Sequence, residues 1–239
     1  KTEDYLGYYD GDNYFSDAIN DMRQLTEIIK TIHPNKKIIL FGHSMGSLLS
    51  REYVTKYGED LEALILSGTA SFMKGLGSFG LLSAQFFGKL NGKHRSNELL
   101  KNLFFSQFNK KFKPNRTKVD WISRDKNQVD LFEADPLRIE DFSLSIFKDI
   151  LKGSKKIDQA ATFEKTPKNL PIFIFSGDKD PIGEMGKGVK KVVKKYKNAG
   201  IDNLTLKLYK EGRHEMLNEI NKEEVEKDVL NWLNKIIQA

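Results

Sequence analysis

The chain has 239 residues, of which 39% are hydrophobic and 30% are charged. These fractions are those of a globular protein. The chain contains no cysteine, which excludes disulfides and thiolate catalysis. The net charge of +6 comes without the aromatic and basic motifs of nucleic-acid-binding proteins, so we expect solvated lysines and no nucleic-acid partner. Neither a signal peptide nor an apolar run of roughly 20 residues is visible, which favours a cytoplasmic location.

The first predicted elements are a helix, a strand and a second helix. Apolar residues recur at helical spacing over residues 14–32, and His33-Pro34 ends that helix. The apolar, β-branched run Ile38-Ile39-Leu40-Phe41 predicts a buried strand. It leads through Gly42-His43-Ser44-Met45-Gly46 into a stretch that predicts a helix ending at residue 58.

A strand, the pattern G-x-S-x-G and a helix in this order are typical of a nucleophile elbow. We expect the turn to hold Ser44 in a sparsely populated backbone conformation with its hydroxyl exposed. A Cβ at Gly42 or Gly46 is expected to collide with the neighbouring strand or helix. The positive N-terminal end of the following helix favours an oxyanion beside Ser44. The alternative is a glycine-rich turn with an idle serine.

The next stretch predicts a parallel sheet that a helical insertion interrupts. Residues 61–67 predict a second buried strand, so strand, helix and strand form a βαβ unit. Between residues 70 and 169 the pattern predicts only helices. They are a glycine-broken apolar stretch over 72–92, an amphipathic one over 96–108, a short helix from Asp125 to Asp135-Pro136, and one over 143–152 that ends at Gly153.

An insertion of this size predicts a cap or lid at residues 70–169, between a first part of the α/β core at 1–69 and a second part at 170–239. Four phenylalanines of the insertion are candidates for an acyl-binding wall that opens: Phe72, Phe79, Phe86 and Phe87. The alternative is the ordinary core of a helical hairpin.

Strand character returns after the insertion. Residues 171–175 predict a strand, and the turn 176–183 and a helix over 184–198 follow it. Residues 204–209 alternate as a strand does, and the loop 210–215 comes next. A last helix begins at the capping box of Asn221 and Glu224.

A serine nucleophile needs a base within hydrogen-bond reach, and the base needs an orienting carboxylate. The histidines are His33, His43, His94 and His214. His214 is the candidate base because it lies just past the end of a predicted strand, where doubly wound sheets place their chemistry. His43 adjoins Ser44, but their side chains are expected to diverge. For the acid, Asp178 and Asp180 both follow the strand at 171–175, and the pattern leaves that choice open.

These motifs make the chain resemble the α/β-hydrolase superfamily, and within it the bacterial monoacylglycerol lipases and lysophospholipases. The resemblance rests on Gly42-His43-Ser44-Met45-Gly46, Gly177-Asp178-Lys179-Asp180 and residues 209–215. It implies an α/β fold with a doubly wound, mostly parallel sheet and a helical cap. The family's Gly-x-x-Asp loop implies Asp180 as the acid. The resemblance also implies an oxyanion donor at the Met45 N–H and a Ser-His-Asp triad that needs no metal or cofactor.

One departure from the family concerns the beginning of the chain. Members of the family begin with several strands and a His-Gly turn that supplies a second oxyanion donor, and nothing before Phe41 resembles them. We therefore expect that the chain begins after the family's fourth strand and lacks the N-terminal strands and the second donor. It would then be a fragment of a longer polypeptide, whose N-terminal remainder completes the fold.

The resemblance implies a serine hydrolase that cleaves monoacylglycerol-like or lysophospholipid-like esters through an acyl-enzyme. Its partner is then a small lipid ester, with transient membrane-surface contact through the cap. One alternative is an aminopeptidase or a non-lipid esterase with the same triad. Another is a non-catalytic protein that keeps the hydrolase pocket for a small ligand.

Overall fold

The parallel sheet that the sequence predicts is present. A computed structural model describes residues 6–92, 96–139 and 142–238. Within these ranges the sheet has the strand order β1-β2-β3-β4, and each neighbouring pair is parallel. The strands are β1 (Ile39–His43), β2 (Ala63–Ser67), β3 (Ile172–Gly177) and β4 (Leu204–Tyr209). Their carboxyl ends therefore meet at one edge of the sheet, where the loops that carry the candidate residues begin.

Several helices begin at a polar residue whose side chain caps the first turn. Asn13, for example, accepts a hydrogen bond from the Ser16 N–H, and Asp125 accepts two from the amides of the first turn of its helix. The helices are α1 (Tyr14–Ile32), α2 (Met45–Tyr57), α3 (Lys74–Asn91), α4 (Glu98–Asn109), α5 (Lys126–Ala134), α6 (Leu144–Ile157), α7 (Ala160–Glu164), α8 (Lys187–Asn198) and α9 (Lys222–Gln238).

The strands bury side chains on both faces of the sheet. Leu64, Leu66 and Ile174 face a layer that α1, α2, α7 and α8 complete. Ala63, Ile65 and Phe175 face the opposite layer, where α9 contributes its own apolar side chains. Each set steps by two residues along its strand, as expected when both faces are covered. The doubly wound parallel α/β fold expected from the sequence is confirmed.

Helices α3 to α7 lie between β2 and β3 in the chain, over the part where the sequence predicts only helices. α3 packs against α4 and α6, and α6 also packs against α1 and α2 of the core. α6 therefore connects the inserted helices to the sheet layers. That the insertion forms a cap stays a prediction. No helix within the described ranges has the length and apolar character needed to cross a membrane.

One predicted helix end is wrong. Gly153 does not end a helix, because α6 continues to Ile157. A Cβ at Gly153 would lie 2.5 Å from the ring of Phe15. Glycine at this position therefore lets α6 pack closely against α1 instead of turning the chain.

Other helix bounds also differ from the sequence pattern. The glycine-broken stretch forms one continuous helix, α3, and the glycines within it do not interrupt it. The helix expected to begin at Glu184 begins at Lys187 instead, since Glu184 and Met185 have positive φ angles of 52° and 55° that no helix accommodates. The five residues of α7 are too few for a periodic signal.

Candidate active site

Ser44 lies in a sharp turn between β1 and α2, and its backbone is strained. Its φ and ψ are 51° and −120°, a conformation that costs a non-glycine residue on the order of 1–3 kcal/mol. The surrounding hydrogen bonds fix this conformation. The Ser44 N–H donates to the Ser67 carbonyl at 2.9 Å, and the Ser44 carbonyl accepts the Ser47 hydroxyl at 2.6 Å. The strained backbone expected for the elbow is thus present.

The two glycines of the elbow differ in their surroundings. A Cβ at Gly42 would lie 2.4 Å from Ser50 Oγ and 2.6 Å from the Gly46 carbonyl oxygen, so the expected collision is confirmed there. At Gly46 an added Cβ meets nothing within 4 Å. The steric explanation for Gly46 is therefore wrong, because its missing side chain would point into open space.

Three distant side chains meet at the carboxyl edge of the sheet. Ser44 Oγ lies 2.8 Å from His214 Nε2, and His214 Nδ1 lies 2.9 Å from Asp180 Oδ2. A carboxylate only accepts hydrogen bonds, so the Nδ1–H donates to Asp180 and Nε2 is left to accept from the serine hydroxyl. This is the geometry of a proton relay from Ser44 to His214.

The side chain of Asp180 is fully buried and is fixed by bonds to both carboxylate oxygens. The Ile182 N–H donates to Oδ1 at 2.9 Å, and the Ser176 hydroxyl donates to Oδ2 at 3.1 Å. The other candidate acid, Asp178, points elsewhere: its Oδ1 accepts the Glu211 N–H at 2.8 Å. The structure thus brings Asp180 to His214, whereas the side chain of Asp178 stabilises the neighbouring loop through its bond to the Glu211 N–H.

The loop that carries Asp180 and the loop that carries His214 are bonded to each other. The Asp178 N–H donates to the Tyr209 carbonyl, and the Lys179 N–H donates to the Gly212 carbonyl, each at 2.9 Å. A Cβ at Gly177 would lie 2.0 Å from the Gly212 carbonyl oxygen. Only glycine permits this approach, which sets the distance between the carboxylate and the imidazole.

The surroundings of His214 change its basicity. Burial disfavours the imidazolium and by itself lowers the pKa of His214. The charge of Asp180 and its hydrogen bond outweigh burial, and the pKa of His214 lies above its ordinary value of 6.5. The imidazole is therefore a stronger base than a free histidine side chain.

The imidazole of His214 lies between two other rings. Its centroid is 4.9 Å from the ring centroid of His43 and 5.1 Å from that of Trp121. The side chain of His43 diverges from Ser44, as expected, and its Nδ1 lies 3.0 Å from Ser67 Oγ. Burial and then the charge of His214 lower the pKa of His43 to about 4. His43 is thus neutral at neutral pH and packs beside His214 without adding charge.

Of the remaining histidines, His33 caps the exposed end of α1, and His94 lies outside the described residues.

Met45 is the first residue of α2, so its N–H is one of the first-turn amides that a helix leaves without an internal partner. Within the described ranges, no three histidine, aspartate or glutamate side chains converge in a way suited to a metal ion.

Ser44 faces an apolar cavity of about 230 Å³. Core and inserted elements both form its wall, and none of its described lining residues carries a charge. The cavity is therefore suited to a hydrocarbon chain or another apolar group. The large apolar residues of its wall include Leu48, Met73, Phe108, Trp121, Phe147 and Ile182.

The four phenylalanines expected to form the acyl wall lie in different places. Phe72 lines the cavity. The prediction is wrong for Phe79 and Phe86, which are 51% and 59% exposed on the outer face of α3. It is also wrong for Phe87, which packs with Ala84 in a separate apolar cluster. The packing of α3 on α6 decides which side of α3 faces inward, and the sequence pattern did not include that contact.

Several residues of the site had no place in the sequence prediction. Phe147, Ile150, Leu151 and Ser154 lie along the face of α6 that lines the cavity. Their helical spacing is visible in the sequence and marks an inward face. Trp121 has no such signal, because it lies between helices and reaches His214 only through the fold.

Comparison with known proteins gives consistent relatives. Residues 8–221 match the family described as "Serine aminopeptidase, S33". A monoacylglycerol lipase from Mycolicibacterium smegmatis is 26% identical over 220 residues, which cover 91% of this chain and 69% of that protein.

Solved structures give the same picture. The chain is similar to a highly thermostable carboxyl esterase from Bacillus coagulans in complex with glycerol, with a TM-score of 0.88 and 26% identity over 95% of this chain and 73% of the other. It is also similar to a monoacylglycerol lipase from Paleococcus ferrophilus, with a TM-score of 0.70 and 19% identity over 97% and 81% of the two chains. At the lower identity the likeness concerns the fold alone.

Proposed function

Because this chain belongs to the serine aminopeptidase S33 family and is a serine ester hydrolase, we propose that it cleaves monoacylglycerol-like or lysophospholipid-like esters with Ser44, His214 and Asp180. The observation that carries the proposal is the continuous chain of hydrogen bonds from Ser44 through His214 to Asp180 at the wall of an apolar cavity. The fold by itself does not specify a substrate.

The proposed reaction has two halves. Ser44 Oγ attacks the acyl carbonyl while His214 Nε2 takes the hydroxyl proton, and Asp180 stabilises the imidazolium that forms. His214 then returns this proton to the leaving alcohol, which leaves the acyl group on Ser44. Water attacks the acyl-enzyme with His214 again as the base, and the acid and free Ser44 are the products.

The oxyanion of each half-reaction needs hydrogen-bond donors in place. The Met45 N–H, at the N-terminal end of α2, is the proposed donor from the described residues. The dipole of α2 adds to its effect, because the positive end of the helix is directed toward the place where negative charge develops.

The character of the cavity favours lipid esters over peptide N-termini. An aminopeptidase must bind the protonated α-amino group of its substrate, for which a carboxylate in the pocket is the suitable partner. The described lining residues include no aspartate or glutamate. An acyl chain needs only apolar surface, and each methylene buried there contributes about 0.8 kcal/mol.

We also propose that residues 70–169 act as a cap whose outer face meets the lipid surface from which substrate is taken. An apolar stripe along one side of α3 supports this: Phe79, Leu82, Phe86 and Leu90 are 51%, 67%, 59% and 64% exposed. A soluble monomer rarely exposes such a contiguous stripe without a partner for it. Sedimentation with phosphatidylcholine vesicles would test the contact, and Leu82→Ser with Phe86→Ser should abolish it.

The proposed triad is tested by Ser44→Ala. The variant should lose ester turnover and labelling by a fluorophosphonate probe, because no other nucleophile takes the place of the hydroxyl. A burst of alcohol before steady turnover of an activated ester would reveal the acyl-enzyme. Retained activity in Ser44→Ala would contradict the proposed nucleophile, and a wild-type chain with neither turnover nor labelling would favour the non-catalytic alternative.

The proposed substrate class needs a separate comparison. Monoacylglycerols, lysophospholipids, p-nitrophenyl esters of increasing chain length and aminoacyl amides should be assayed with the same preparation. We expect the highest kcat/KM for esters with an apolar acyl chain. A preference for aminoacyl amides would overturn the substrate class while leaving the triad intact.

A further inference from the structure

A buried carboxylate outside the proposed triad collects an unusual number of hydrogen bonds. Glu219 is 1% exposed, and its side chain accepts four bonds. The Arg124 and Arg213 backbone N–H groups donate to Oε1 at 3.1 and 2.9 Å. The Arg124 Nε–H and the Ile220 N–H donate to Oε2 at 2.9 and 3.1 Å. Both oxygens are thus fully used, as a desolvated carboxylate requires.

These donors come from two parts of the chain that lie far apart in sequence. Arg213 and Ile220 belong to the loop that carries His214, whereas Arg124 belongs to the insertion. We call residues 120–124 the anchor segment. The carboxylate of Glu219 therefore accepts hydrogen bonds both from the His214 loop, to which Glu219 itself belongs, and from the anchor segment.

Further bonds join the anchor segment to the same loop. The Glu215 N–H donates to the Ile122 carbonyl at 2.9 Å, and the Ser123 hydroxyl donates to the Asn218 carbonyl at 2.7 Å. Arg213 Nη1 donates to the Ser123 carbonyl at 3.0 Å. The contact extends along the loop on both sides of His214, so the loop has little freedom to move relative to the anchor segment.

His214 is directly attached to this arrangement. Arg213, which bonds to Glu219, is the residue before it in the chain. The His214 N–H faces the Trp121 carbonyl at 3.4 Å, and the Trp121 ring packs against the imidazole. Displacing the Arg213 amide would therefore displace the backbone from which the imidazole reaches Ser44.

We propose that Glu219 is a positioning residue for His214, an inference that rests on the proposed function. It fixes the His214 loop against the anchor segment, so that the imidazole stays at hydrogen-bond distance from Ser44 Oγ throughout the reaction. Glu219 acts through the backbone of Arg213 and the placement of Trp121 and does not touch the substrate. A displacement of about 1 Å in such a group costs on the order of 10² in rate.

The test is Glu219→Gln, measured as kcat per active site after titration with a fluorophosphonate to completion. Glutamine has nearly the same shape, but its NH₂ group faces two of the four donors and repels them. We expect kcat per titrated site to fall by about 10- to 100-fold while KM changes by less than about threefold. The rate of fluorophosphonate labelling should fall in parallel, because labelling also needs the Ser44-His214 contact.

A merely structural role would give a different result. It would lower the melting temperature and the fraction of titratable sites but leave kcat per site unchanged. Glu52→Gln is the matched control, since Glu52 is a carboxylate of similar burial whose bond goes to Lys156 on α6. We expect this control to lose stability and to keep its kcat per site.

If Glu219→Gln does not fold, Arg124→Gln replaces it in the same assay. This variant removes the Nε–H bond to Glu219 and the bond from Arg124 Nη2 to Asn221 Oδ1 but keeps the three backbone donors. It should lower kcat per site by several-fold with KM unchanged. If either variant folds and its kcat per titrated site stays within about twofold of the wild-type value, the proposal is overturned. An inactive, unlabelled wild type would instead overturn the proposed function.

Discussion

Trp121 and His214 are in contact twice, through their rings at 5.1 Å and through the His214 N–H and the Trp121 carbonyl. The same indole lines the apolar cavity. One residue of the insertion therefore contacts both the proposed base and the space proposed for the acyl chain. The insertion therefore contributes a residue to the proposed catalytic site.

This double contact predicts a double effect of Trp121→Ala. Loss of the ring removes a support of the imidazole and part of the cavity wall, so kcat should fall by about 3- to 10-fold and KM for long-chain esters should rise. Trp121→Phe keeps an aromatic ring at the site and should retain most of the activity. Steady-state kinetics of both variants with short and long esters are the measurement. Equal kcat in wild type and Trp121→Ala would contradict the supporting role.

The pH dependence of kcat/KM should report the raised pKa of His214. The base acts in its neutral form, so activity is present at high pH and is lost as pH falls through that pKa, which lies above 6.5. His43, with a pKa of about 4, remains neutral across this range and does not contribute to the loss. The measurement is a pH–rate profile of kcat/KM with a non-ionising ester.

Asp180→Asn provides the matching control for this assignment. It removes the charge that raises the pKa of His214 and leaves burial, which lowers it. The acid limb should therefore move to lower pH, and kcat should fall on the order of 10⁴-fold because the imidazole loses its orienting partner. An unmoved acid limb would show that another group titrates there.

The two elbow glycines predict opposite responses to alanine. Gly42→Ala brings a Cβ to 2.6 Å from a backbone oxygen and should lower the free energy of unfolding by about 1–3 kcal/mol. Gly46→Ala meets no neighbour within 4 Å and should leave stability unchanged or raise it by up to about 1 kcal/mol, because alanine favours a helix. Urea unfolding of the two variants tests the pair. A similar loss in both would mean that the turn itself requires glycine at 46.

The extent of the cavity predicts a change in chain-length preference. Ser154 lies on α6 in the cavity wall, and Ser154→Phe would fill part of the space. We expect kcat/KM for dodecanoyl esters to fall by at least about tenfold and that for butyryl esters by less than about threefold. Ser154→Ala, which leaves the space open, is the control. A uniform loss across chain lengths would place the acyl chain elsewhere.

The sequence predicts the elbow, the strands and the order of the proposed triad because these depend on local patterns. Ser44 and His214 each lie where a predicted strand ends, and parallel strands bring those ends together. The choice between Asp178 and Asp180 was not local in this sense. It depends on the contact of Gly177 with Gly212, two positions in different loops. The local pattern leaves the choice open, and the family's Gly-x-x-Asp loop implies Asp180, the carboxylate that lies beside His214.

Much of the cavity wall and the buried carboxylate could not be predicted for the same reason. Phe79 and Phe86 look like candidates in sequence, but the packing of α3 on α6 turns them outward. Glu219 looks like any charged loop residue near the chain's last helix. Two of its donors belong to Arg124, which is 95 residues away in sequence, so the proposed role depends on contacts that only the folded chain forms.

The positive φ of Ser44 also implies a conflict between activity and stability at this residue. A serine stands where glycine would fit the backbone without strain, so folding disfavours the side chain that the proposed chemistry needs. Ser44→Gly should therefore unfold at a higher denaturant concentration than the wild type, with a gain of about 1 kcal/mol in the free energy of unfolding. The protein would become more stable by losing its proposed nucleophile, whereas Ser44→Ala should lose activity and keep the strain.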